Sequence, residues 1–319
     1  MLGIHNRKIA VLMSTYNGEK FIKEQLDSIL KQKGVIVSLY IRDDGSTDDT
    51  INILTDYSTI YSNVLIINKN KRRNIGAYAS FFEIMDYAFH NITDVDYFAF
   101  SDQDDVWRED KLLSAIQSID GATVDVHHDN RIILYYSNKT WVDKDLSYLH
   151  EDFITNRKSN YFDAVLPISA YGCTFVFNRI LLETVACNLP IARVAHDLYM
   201  FRLAKLLNGV VIYDDKSRIL YRRHDSNVSC ERKKHAIIGI VRRKIINHKK
   251  FHGTKLYVSE IYRLHKSKMG KEQRHLVELI LNYEHSMKDR FELLFYKEAW
   301  NRGPKCAIIW GGRVLMNAV

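Results

Sequence analysis

Long apolar runs, prolines and signal-like segments are scarce in this chain of 319 residues. No stretch of eighteen apolar residues occurs, which predicts that no helix spans a membrane. The apolar run near the N-terminus is five residues long, too short for the core of a signal peptide. Three prolines and fourteen glycines argue against a long disordered or low-complexity region.

Cysteines are few, and none is paired in a metal-binding pattern. Cys173, Cys187, Cys230 and Cys306 lie far apart, with no C-x-x-C motif. Closely spaced cysteines are typical of structural zinc sites and of small disulfide-linked domains. We therefore expect neither, and we expect a protein of the reducing cytoplasm.

The sequence also lacks both common glycine-rich loops for phosphate. It has no G-x-x-x-x-G-K-[ST] and no G-x-G-x-x-G after the first predicted strand. Kinase, ATPase and dehydrogenase functions therefore lose most of their support. If the protein binds a nucleotide without such a loop, it needs a metal ion to neutralise the charge of the diphosphate.

The net charge of +8 is distributed unevenly. Residues 231–319 hold 20 Lys and Arg against 8 Asp and Glu, a net charge of +12, whereas residues 1–230 carry −4. This asymmetry predicts two regions with different partners, a mildly acidic domain over 1–230 and a basic region over 231–319.

Within the basic region, residues 232–250 hold eight Lys and Arg and no acidic residue. A helix of this composition is suited to an anionic membrane surface, with Ile245 and Ile246 on its apolar side. Alternatively, Ile237, Ile238 and Val241 pack on the rest of the protein and the charges are solvated. Nothing resembles a DNA- or RNA-binding module, so nucleic acid is not an expected partner.

Apolar periodicity predicts a strict alternation of strands and helices over the first 120 residues. The predicted strands are Ile9–Met13, Val35–Ile41, Val64–Asn68 and Tyr97–Phe100. The predicted helices are Lys20–Gln32, Ser46–Tyr57, Gly76–Phe89 and Glu109–Ile119. This alternation predicts an α/β fold with a mainly parallel sheet covered by helices on both faces.

The remaining residues give a more mixed pattern. We predict strands over Ile132–Ser137, Gly172–Phe177 and Val210–Tyr213, and helices over Ile180–Cys187 and Asp197–Leu207. Beyond Cys230 a helical extension is predicted, with one long apolar stripe through Leu276, Leu279, Tyr283, Met287, Phe291 and Leu294.

Polar segments follow three of the predicted strands, at the ends where open α/β sheets bind ligands. They are Ser14–Asn17, Arg42–Ser46 and Ser101–Asp105. Since like charges repel, the aspartates among them predict a divalent cation with oxygen ligands, shared by Asp102 and Asp104. The alternative is that these aspartates cap the next helix and face solvent.

Several runs together resemble the family 2 inverting glycosyltransferases of GT-A fold. They are KIAVLMSTYNGEKFIKEQLDSILKQ, IRDDGSTDDT, RNIGAYASF and YFAFSDQDDVWREDKL. SDQDDVW, with HDLYMF and LYRRHDSNVS downstream, is similar to the bacterial rhamnosyltransferase subgroup. The resemblance covers roughly residues 7–230, in order and at the family's spacings. It implies a nucleotide-sugar-binding and catalytic domain over 1–230.

The resemblance implies roles for residues of the donor site. Thr15, Tyr16 and Asn17 match the loop that holds the nucleotide base, Glu19 borders the ribose, and Asp44 reads the base edge. Asn74 and Gly76 match an N-x-G turn beside the nucleotide, where glycine permits close backbone approach. Either Arg72 or Arg73 reaches a phosphate, or both are simply solvated.

The acidic cluster has metal and sugar roles by the same resemblance. Asp104 is expected to ligate Mn²⁺ or Mg²⁺, and Asp102 the metal or the ribose, while Gln103 and Asp105 are expected on the donor side. His224, in the family's Y-R-x-H segment, is a metal ligand, a phosphate donor or a structural histidine. With Arg222 it is a candidate for stabilising the departing diphosphate.

Inversion by direct displacement needs one carboxylate near the acceptor hydroxyl and away from the metal. Asp197 matches the family's position for this base, although an aspartate that opens a helix can also cap it. Leu198 and Tyr199 depart from the tryptophan that often follows the base, which leaves the acceptor's identity open. Cys173 lies in a stretch expected on the acceptor side and is interpreted as a small buried residue.

The function that the resemblance implies is transfer of L-rhamnose from dTDP-L-rhamnose to a hydroxyl of a growing, lipid-linked bacterial surface polysaccharide. The same chemistry with UDP-glucose or UDP-galactose is the first alternative. A catalytically silent scaffold is another, although it would be expected to lose Asp104 or Asp197. A nucleotidyltransferase would usually show a glycine-rich basic loop after the first strand, which STYNGEK does not provide.

Overall fold

The computed structural model describes residues 7–68, 73–123, 131–152, 159–167, 170–224, 240–317 and 319, with only the main chain for 240–252. Its strands are β1 Lys8–Thr15, β2 Ile36–Asp43, β3 Val64–Ile66, β4 Tyr97–Ser101, β5 Val106–Trp107, β6 Ile133–Val142, β7 Tyr148–Glu151, β8 Val176–Asn178 and β9 Val210–Arg222. Its helices are α1 Ile22–Leu30, α2 Thr50–Ile60, α3 Ala77–Asn91, α4 Lys111–Thr123, α5 Arg179–Ala186, α6 His196–Leu206, α7 Ile240–His265, α8 Lys271–Asn282, α9 Met287–Leu294, α10 Lys297–Asn301 and α11 Pro304–Leu315.

These strands form one sheet in the order β3-β2-β1-β4-β8-β6-β9-β5, with β7 paired to β6. Strands β1 to β4 are parallel to one another, as the alternation predicts, and β8 joins β4 antiparallel. The sheet is therefore mixed beyond β4. The predicted α/β fold of GT-A type, with a helical C-terminal extension, is confirmed.

Strand β1 lies at the centre of the parallel half because it is apolar on both faces. Ile9, Val11 and Met13 belong to one buried cluster, and Ala10 and Leu12 to the other. Successive strand side chains point to opposite faces, so a continuous apolar run is buried only when helices cover both. The short run that opens the chain thus specifies a central strand.

The second half departs from the predicted elements in detail. Gly172–Thr174 forms a 3-10 turn instead of strand, closed by the Phe175 amide bonding the Gly172 carbonyl at 2.8 Å, and only Val176–Asn178 pairs with the sheet. Strand β9 continues well past Tyr213, and the short strands β5 and β7 were not predicted. Short strands carry too few residues for their periodicity to be visible in a sequence.

The predicted apolar stripe from Leu276 to Leu294 is wrong as one continuous feature. Helix α8 ends at Asn282, and α9 begins anew after Ser286, whose hydroxyl caps it by accepting from the Asp289 amide. The break resets the helical phase, so Leu276 is buried whereas Met287 is 78% exposed.

The C-terminal helices pack on the face of the sheet that carries α6. Val258, Ile261 and Leu276 share a buried cluster with Tyr199 and Phe201. No helix within the described ranges is long and apolar enough to cross a membrane. The basic segment 232–239, with Ile237 and Ile238, lies outside the described residues.

Candidate active site

Three strand ends meet at one edge of the sheet, as the sequence predicts. Thr15 at the end of β1 pairs in register with Asp43 at the end of β2, and Met13 pairs with Ser101 at the end of β4. The segments that follow these strands therefore surround a common space.

The loop after β1 is tied to the loop after β2 by side-chain to backbone hydrogen bonds. The Asn17 amide N–H donates to Ser46 Oγ at 2.9 Å, and Asn17 Oδ1 accepts from the Thr47 amide at 2.8 Å. Glu19 Oε2 accepts from the Asp49 amide at 2.9 Å. Asn17 has a φ of 48°, a left-handed conformation that asparagine tolerates better than most residues.

Within this loop the predicted base-binding residues differ in exposure. Thr15 is buried, and its hydroxyl donates to Asp43 Oδ1 at 3.1 Å. The Tyr16 ring is exposed. Gln103 belongs to the segment Ser101–Asp105 after β4, which we call the acidic loop. Its side chain accepts from the Tyr16 N–H at 2.8 Å and donates to the Tyr16 C=O at 2.9 Å.

Asp44 is buried at the base of the N-x-G turn. Its carboxylate accepts from Arg42 Nη1 at 2.7 Å and from the backbone amides of Ile75 at 2.9 Å and Gly76 at 2.8 Å. Gly76 has a φ of 86°, which favours glycine. Asp44 thus fixes the turn that the resemblance places beside the nucleotide.

Two described arginines, Arg73 and Arg193, border this turn. Arg73 is exposed and donates to Glu83 Oε1 at 2.9 Å, and Arg72 lies outside the described residues. Sequence reasoning missed Arg193, whose Nη2 lies 3.3 Å from the position of a Cβ added at Gly76. Nothing in the sequence distinguishes this exposed arginine of the loop before α6, and only the fold brings it here.

The aspartates of the acidic loop are close enough for their charges to act on one another. Burial first, and then the charges of Asp104 and Asp197, raise the pKa of Asp102 to about 7. Burial and the charges of Asp104 and Asp102 likewise raise the pKa of Asp105 well above its usual value. Asp105 Oδ2 is buried with no hydrogen-bond partner among the described residues.

Such a cluster fits a divalent cation. Asp102, Asp105 and the Cys173 sulfur present ligand atoms within 4.8 Å of one another. Burial raises the pKa of the Cys173 thiol well above its usual value, and hard divalent cations prefer oxygen to sulfur ligands. The carboxylate oxygens are the ligands that Mg²⁺ and Mn²⁺ prefer.

His224 joins the cluster from the end of β9. Its Nε2 lies 2.7 Å from Asp104 Oδ2, and its ring packs 4.7 Å from that of Phe21. Arg222 is buried beneath, where its Nε donates to the Asp104 carbonyl at 2.9 Å and its guanidinium pairs with Glu24. Arg222 therefore stabilises the backbone of the acidic loop at Asp104.

Asp197 lies in the first turn of α6 and does not cap it, because the N-cap residue is Ala195. Its carboxylate accepts from the Leu198 amide at 2.7 Å and from the Gly172 amide at 3.4 Å. Cys173, the residue after Gly172, places its sulfur within 4.8 Å of an Asp102 carboxylate oxygen, so Asp197 lies on the side of the site next to Asp102. The sequence alone could not establish this proximity.

Comparison with known proteins agrees with this geometry. Residues 10–185 match the family described as Glycosyl transferase family 2. The chain belongs to glycosyltransferase family 2. It is 33% identical over 243 residues to the dTDP-rhamnosyl transferase RfbG of Shigella flexneri, covering 73% of this chain and 80% of that protein.

Other relatives of this family 2 glycosyltransferase are more distant. It is 25% identical over 206 residues to the putative teichuronic acid biosynthesis glycosyltransferase TuaG of Bacillus subtilis, covering 64% of this chain and 74% of that one. Its fold is similar to the crystal structure of S. aureus TarS 1-349 in complex with UDP-GlcNAc, with a TM-score of 0.57 and 16% identity over 98% of this chain and 82% of that one.

Two buried lysines of the glycosyltransferase were also missed by sequence reasoning. Lys139 Nζ lies within 4.0 Å of the ring centroids of Trp141, Tyr171 and Tyr221, and Lys111 Nζ lies 3.6 Å from that of Trp107. Burial lowers the pKa of Lys139 to about 8 and that of Lys111 to about 7. Both lie near the acidic loop, so their charge partly offsets that of the carboxylates.

Proposed function

We propose that this enzyme transfers L-rhamnose from dTDP-L-rhamnose, with inversion, to a hydroxyl of a lipid-linked bacterial surface polysaccharide. The observation that supports this most is that Asp197 binds the Gly172 amide while the adjacent Cys173 lies within 4.8 Å of an Asp102 oxygen, which puts a separate carboxylate near the acidic loop. A donor diphosphate at the acidic loop would therefore hold its sugar beside a carboxylate. The likeness to the rhamnosyl transferase of Shigella flexneri supports the choice of donor.

Asp197 is proposed as the base. As the acceptor oxygen bonds the anomeric carbon, the carboxylate takes the hydroxyl proton, and the bond from that carbon to the diphosphate oxygen breaks with its electron pair leaving on the diphosphate. The hydrogen bonds from the Leu198 and Gly172 amides orient the carboxylate. Inversion follows because the acceptor attacks from the face opposite the leaving group.

Asp104, Asp102 and His224 are proposed to hold Mn²⁺ or Mg²⁺, with Asp105 as a further oxygen ligand within reach, because its carboxylate oxygen lies within 4.8 Å of that of Asp102. When bound, the metal would offset charge on the departing diphosphate. Gln103 would keep the Tyr16 backbone in place for the base, with Asn17 and Glu19 fixing the rest of that loop. Asp105, in the acidic loop, is proposed to contact the sugar donor.

The nucleotide would lie along the turn that Asp44 fixes, between Asn74 and Gly76. Arg73, which is exposed, and Arg193, which stands beside Gly76, are suited to phosphate oxygens because both are cations at the rim of the pocket. A lipid-linked acceptor further implies a peripheral position on the inner face of the cell membrane, through the basic C-terminal region.

The test is a donor panel with Mn²⁺, with Mg²⁺ and with chelator, measuring release of nucleoside diphosphate and the anomeric configuration of the product. We expect turnover of dTDP-L-rhamnose with inversion. Turnover of UDP-glucose or UDP-galactose alone would reject the rhamnose donor.

Asp197→Asn and Asp104→Ala are each expected to lower kcat about 100-fold or more. Asp56→Asn and Asp56→Ala, at an exposed position on α2, are the matched controls and should retain full activity. Wild-type rates in both site variants would reject the site assignment and favour a binding scaffold.

A further inference from the structure

Helices α9 to α11 leave an unusual number of large apolar side chains in solvent. Met287 is 78%, Phe291 66% and Ile308 75% exposed, and Phe295 and Trp300 are each more than half exposed. Single exposed apolar residues are ordinary, whereas a contiguous group of them marks an interaction surface.

Helix α11 is apolar on both of its sides. Ala307, Trp310 and Val314 are buried against the protein, and the opposite face carries exposed large apolar residues, namely Ile308, Ile309, Leu315 and Met316. A helix that is apolar all round is expected to be covered on every side. Its outer face therefore lacks a covering partner within the described part of the chain.

The exposed residues of α9, α10 and α11 form one surface, which we call the apolar face. The Phe291 and Phe295 ring centroids are 4.8 Å apart, and the Phe295 ring stacks on Trp300 at 6.1 Å. Leu294, three residues after Phe291 on the same side of α9, lies 3.2 Å from the position of a Cβ added at Gly311.

Gly311 in turn shares a side of α11 with Ile308, three residues before it, and with Leu315, four residues after it. The exposed stripe of α9 and that of α11 therefore meet at the contact of Leu294 with Gly311.

Lysines accompany this apolar face at a regular spacing. Lys288, Lys297 and Lys305 each precede an exposed apolar residue by three positions, which puts both on the same side of a helix. All three are exposed, and none forms an ion pair with another described residue.

Two of the nearby acids are already engaged. Glu292 pairs with His275, and Glu298 accepts a hydrogen bond from Asn160. Residues 287–316, which span these helices, hold six Lys and Arg against three Asp and Glu, so this part of the chain carries an excess of positive charge.

We propose that the apolar face docks on an anionic phospholipid bilayer, with Phe291, Trp300 and Ile308 entering the interface and the three lysines meeting the headgroups. Aromatic and aliphatic side chains flanked by lysines are the composition of helices that lie in a membrane interface. Contact with a second copy is disfavoured, because a symmetric interface would bring the lysines together. The proposal rests on the proposed function and deepens it, since a lipid-linked acceptor would lie in the same membrane.

The experiment measures binding of the full chain to vesicles of phosphatidylglycerol and phosphatidylcholine, and to vesicles of phosphatidylcholine alone. The combined change Phe291→Ser, Trp300→Ser and Ile308→Ser should weaken binding to the anionic vesicles about tenfold or more. Lys288→Glu, Lys297→Glu and Lys305→Glu together should weaken it about 100-fold. Ile60→Ser and Lys216→Glu, both at exposed positions on the sheet domain, should change nothing.

Trp300 provides a readout of this surface, since Trp107 and Trp310 are buried and Trp141 is only partly exposed. Its emission should shift to the blue on anionic vesicles, and the shift should vanish in Trp300→Phe. Unchanged binding of the serine variant, or no shift, would overturn the proposal. So would a concentration-dependent dimer in sedimentation that the serine changes dissociate, since that result would assign the surface to a second copy.

The experiments distinguish a wrong docking surface from a wrong proposed function. Donor turnover with a water-soluble acceptor should be unaffected by the serine and glutamate changes. If vesicles bind as expected but no rhamnosyl donor is turned over, the docking surface is supported and the donor assignment is rejected. Normal turnover of the rhamnosyl donor without vesicle binding would support the donor assignment and reject the docking surface.

Discussion

The side-chain amide of Gln103 makes hydrogen bonds with both backbone polar groups of Tyr16, at 2.8 Å and 2.9 Å. The acidic loop and the proposed base-binding loop are thereby joined by one residue. Any movement of the loop that carries Asp102 and Asp104 is transmitted to the Tyr16 backbone. We therefore propose that Gln103 positions the nucleotide through the Tyr16 backbone.

Gln103→Glu is expected to raise the donor KM about fivefold to tenfold with a smaller effect on kcat. The carboxylate cannot donate to the Tyr16 carbonyl, which loses one hydrogen bond worth about 1 kcal/mol and gains repulsion. Steady-state kinetics with varied donor measure this.

Gln32→Glu is the matched control, since Gln32 also bonds one backbone carbonyl and one backbone amide, those of Arg108 and Leu112. It should lower the melting temperature and leave the donor KM unchanged. Equal effects of the two changes on KM would contradict the positioning role.

Gly172→Ala should reduce kcat about tenfold or more, because the added methyl would displace the base. A Cβ at this position would lie 2.7 Å from His196 Nε2 and 3.2 Å from Asp197 Cβ. The His196 ring cannot yield easily, since it stacks on Phe81 at 3.9 Å. A misplacement of the order of 1 Å at a catalytic group can cost about 100-fold.

Gly121→Ala is the corresponding control, because nothing lies within 4 Å of its added Cβ. Gly121 is in helix α4, where alanine is favoured over glycine, so this variant should be slightly more stable and fully active. A Gly172→Ala enzyme with wild-type kcat would show that Asp197 need not be held where the Gly172 amide holds it.

Lys139→Met should change the pH dependence of metal activation. The Lys139 charge is one of the effects that lower the pKa of Asp102, against the burial and the charges of Asp104 and Asp197 that raise it to about 7. Without Lys139 the pKa of Asp102 rises further, so the carboxylate stays protonated to higher pH.

Activity at limiting Mn²⁺ is the measurement for this variant. Wild-type activity should fall as the pH drops through about 7, and the fall should begin at higher pH in Lys139→Met. Lys33→Met, which removes an exposed lysine paired with Glu109, should leave the profile unchanged. Superimposable profiles of wild type and Lys139→Met would reject the electrostatic role.

The residues that sequence reasoning found are those whose signal is local. The alternation of Ile9 to Met13 between two apolar clusters is visible as one apolar run, and parallel strands must end at one edge. That geometry alone brings Thr15, Asp43 and Ser101 together, so the meeting of these three strand ends could be predicted before any coordinates.

The remaining features depend on contacts between residues distant in sequence. Lys139 lies in a strand with no sign that three aromatic rings surround its ammonium, and Arg193 reaches Gly76 only through the fold. The stripe predicted through Met287 failed because the cap at Ser286 restarts the helix in a new phase.

The sequence by itself determined the parallel half of the sheet and the acidic edge, since both follow from apolar periodicity and strand direction. The tertiary structure decided which carboxylate faces that edge, which charges lie beneath it and which apolar residues stay in solvent. Periodicity describes one element at a time, whereas burial and electrostatic coupling depend on elements that meet only when the chain has folded.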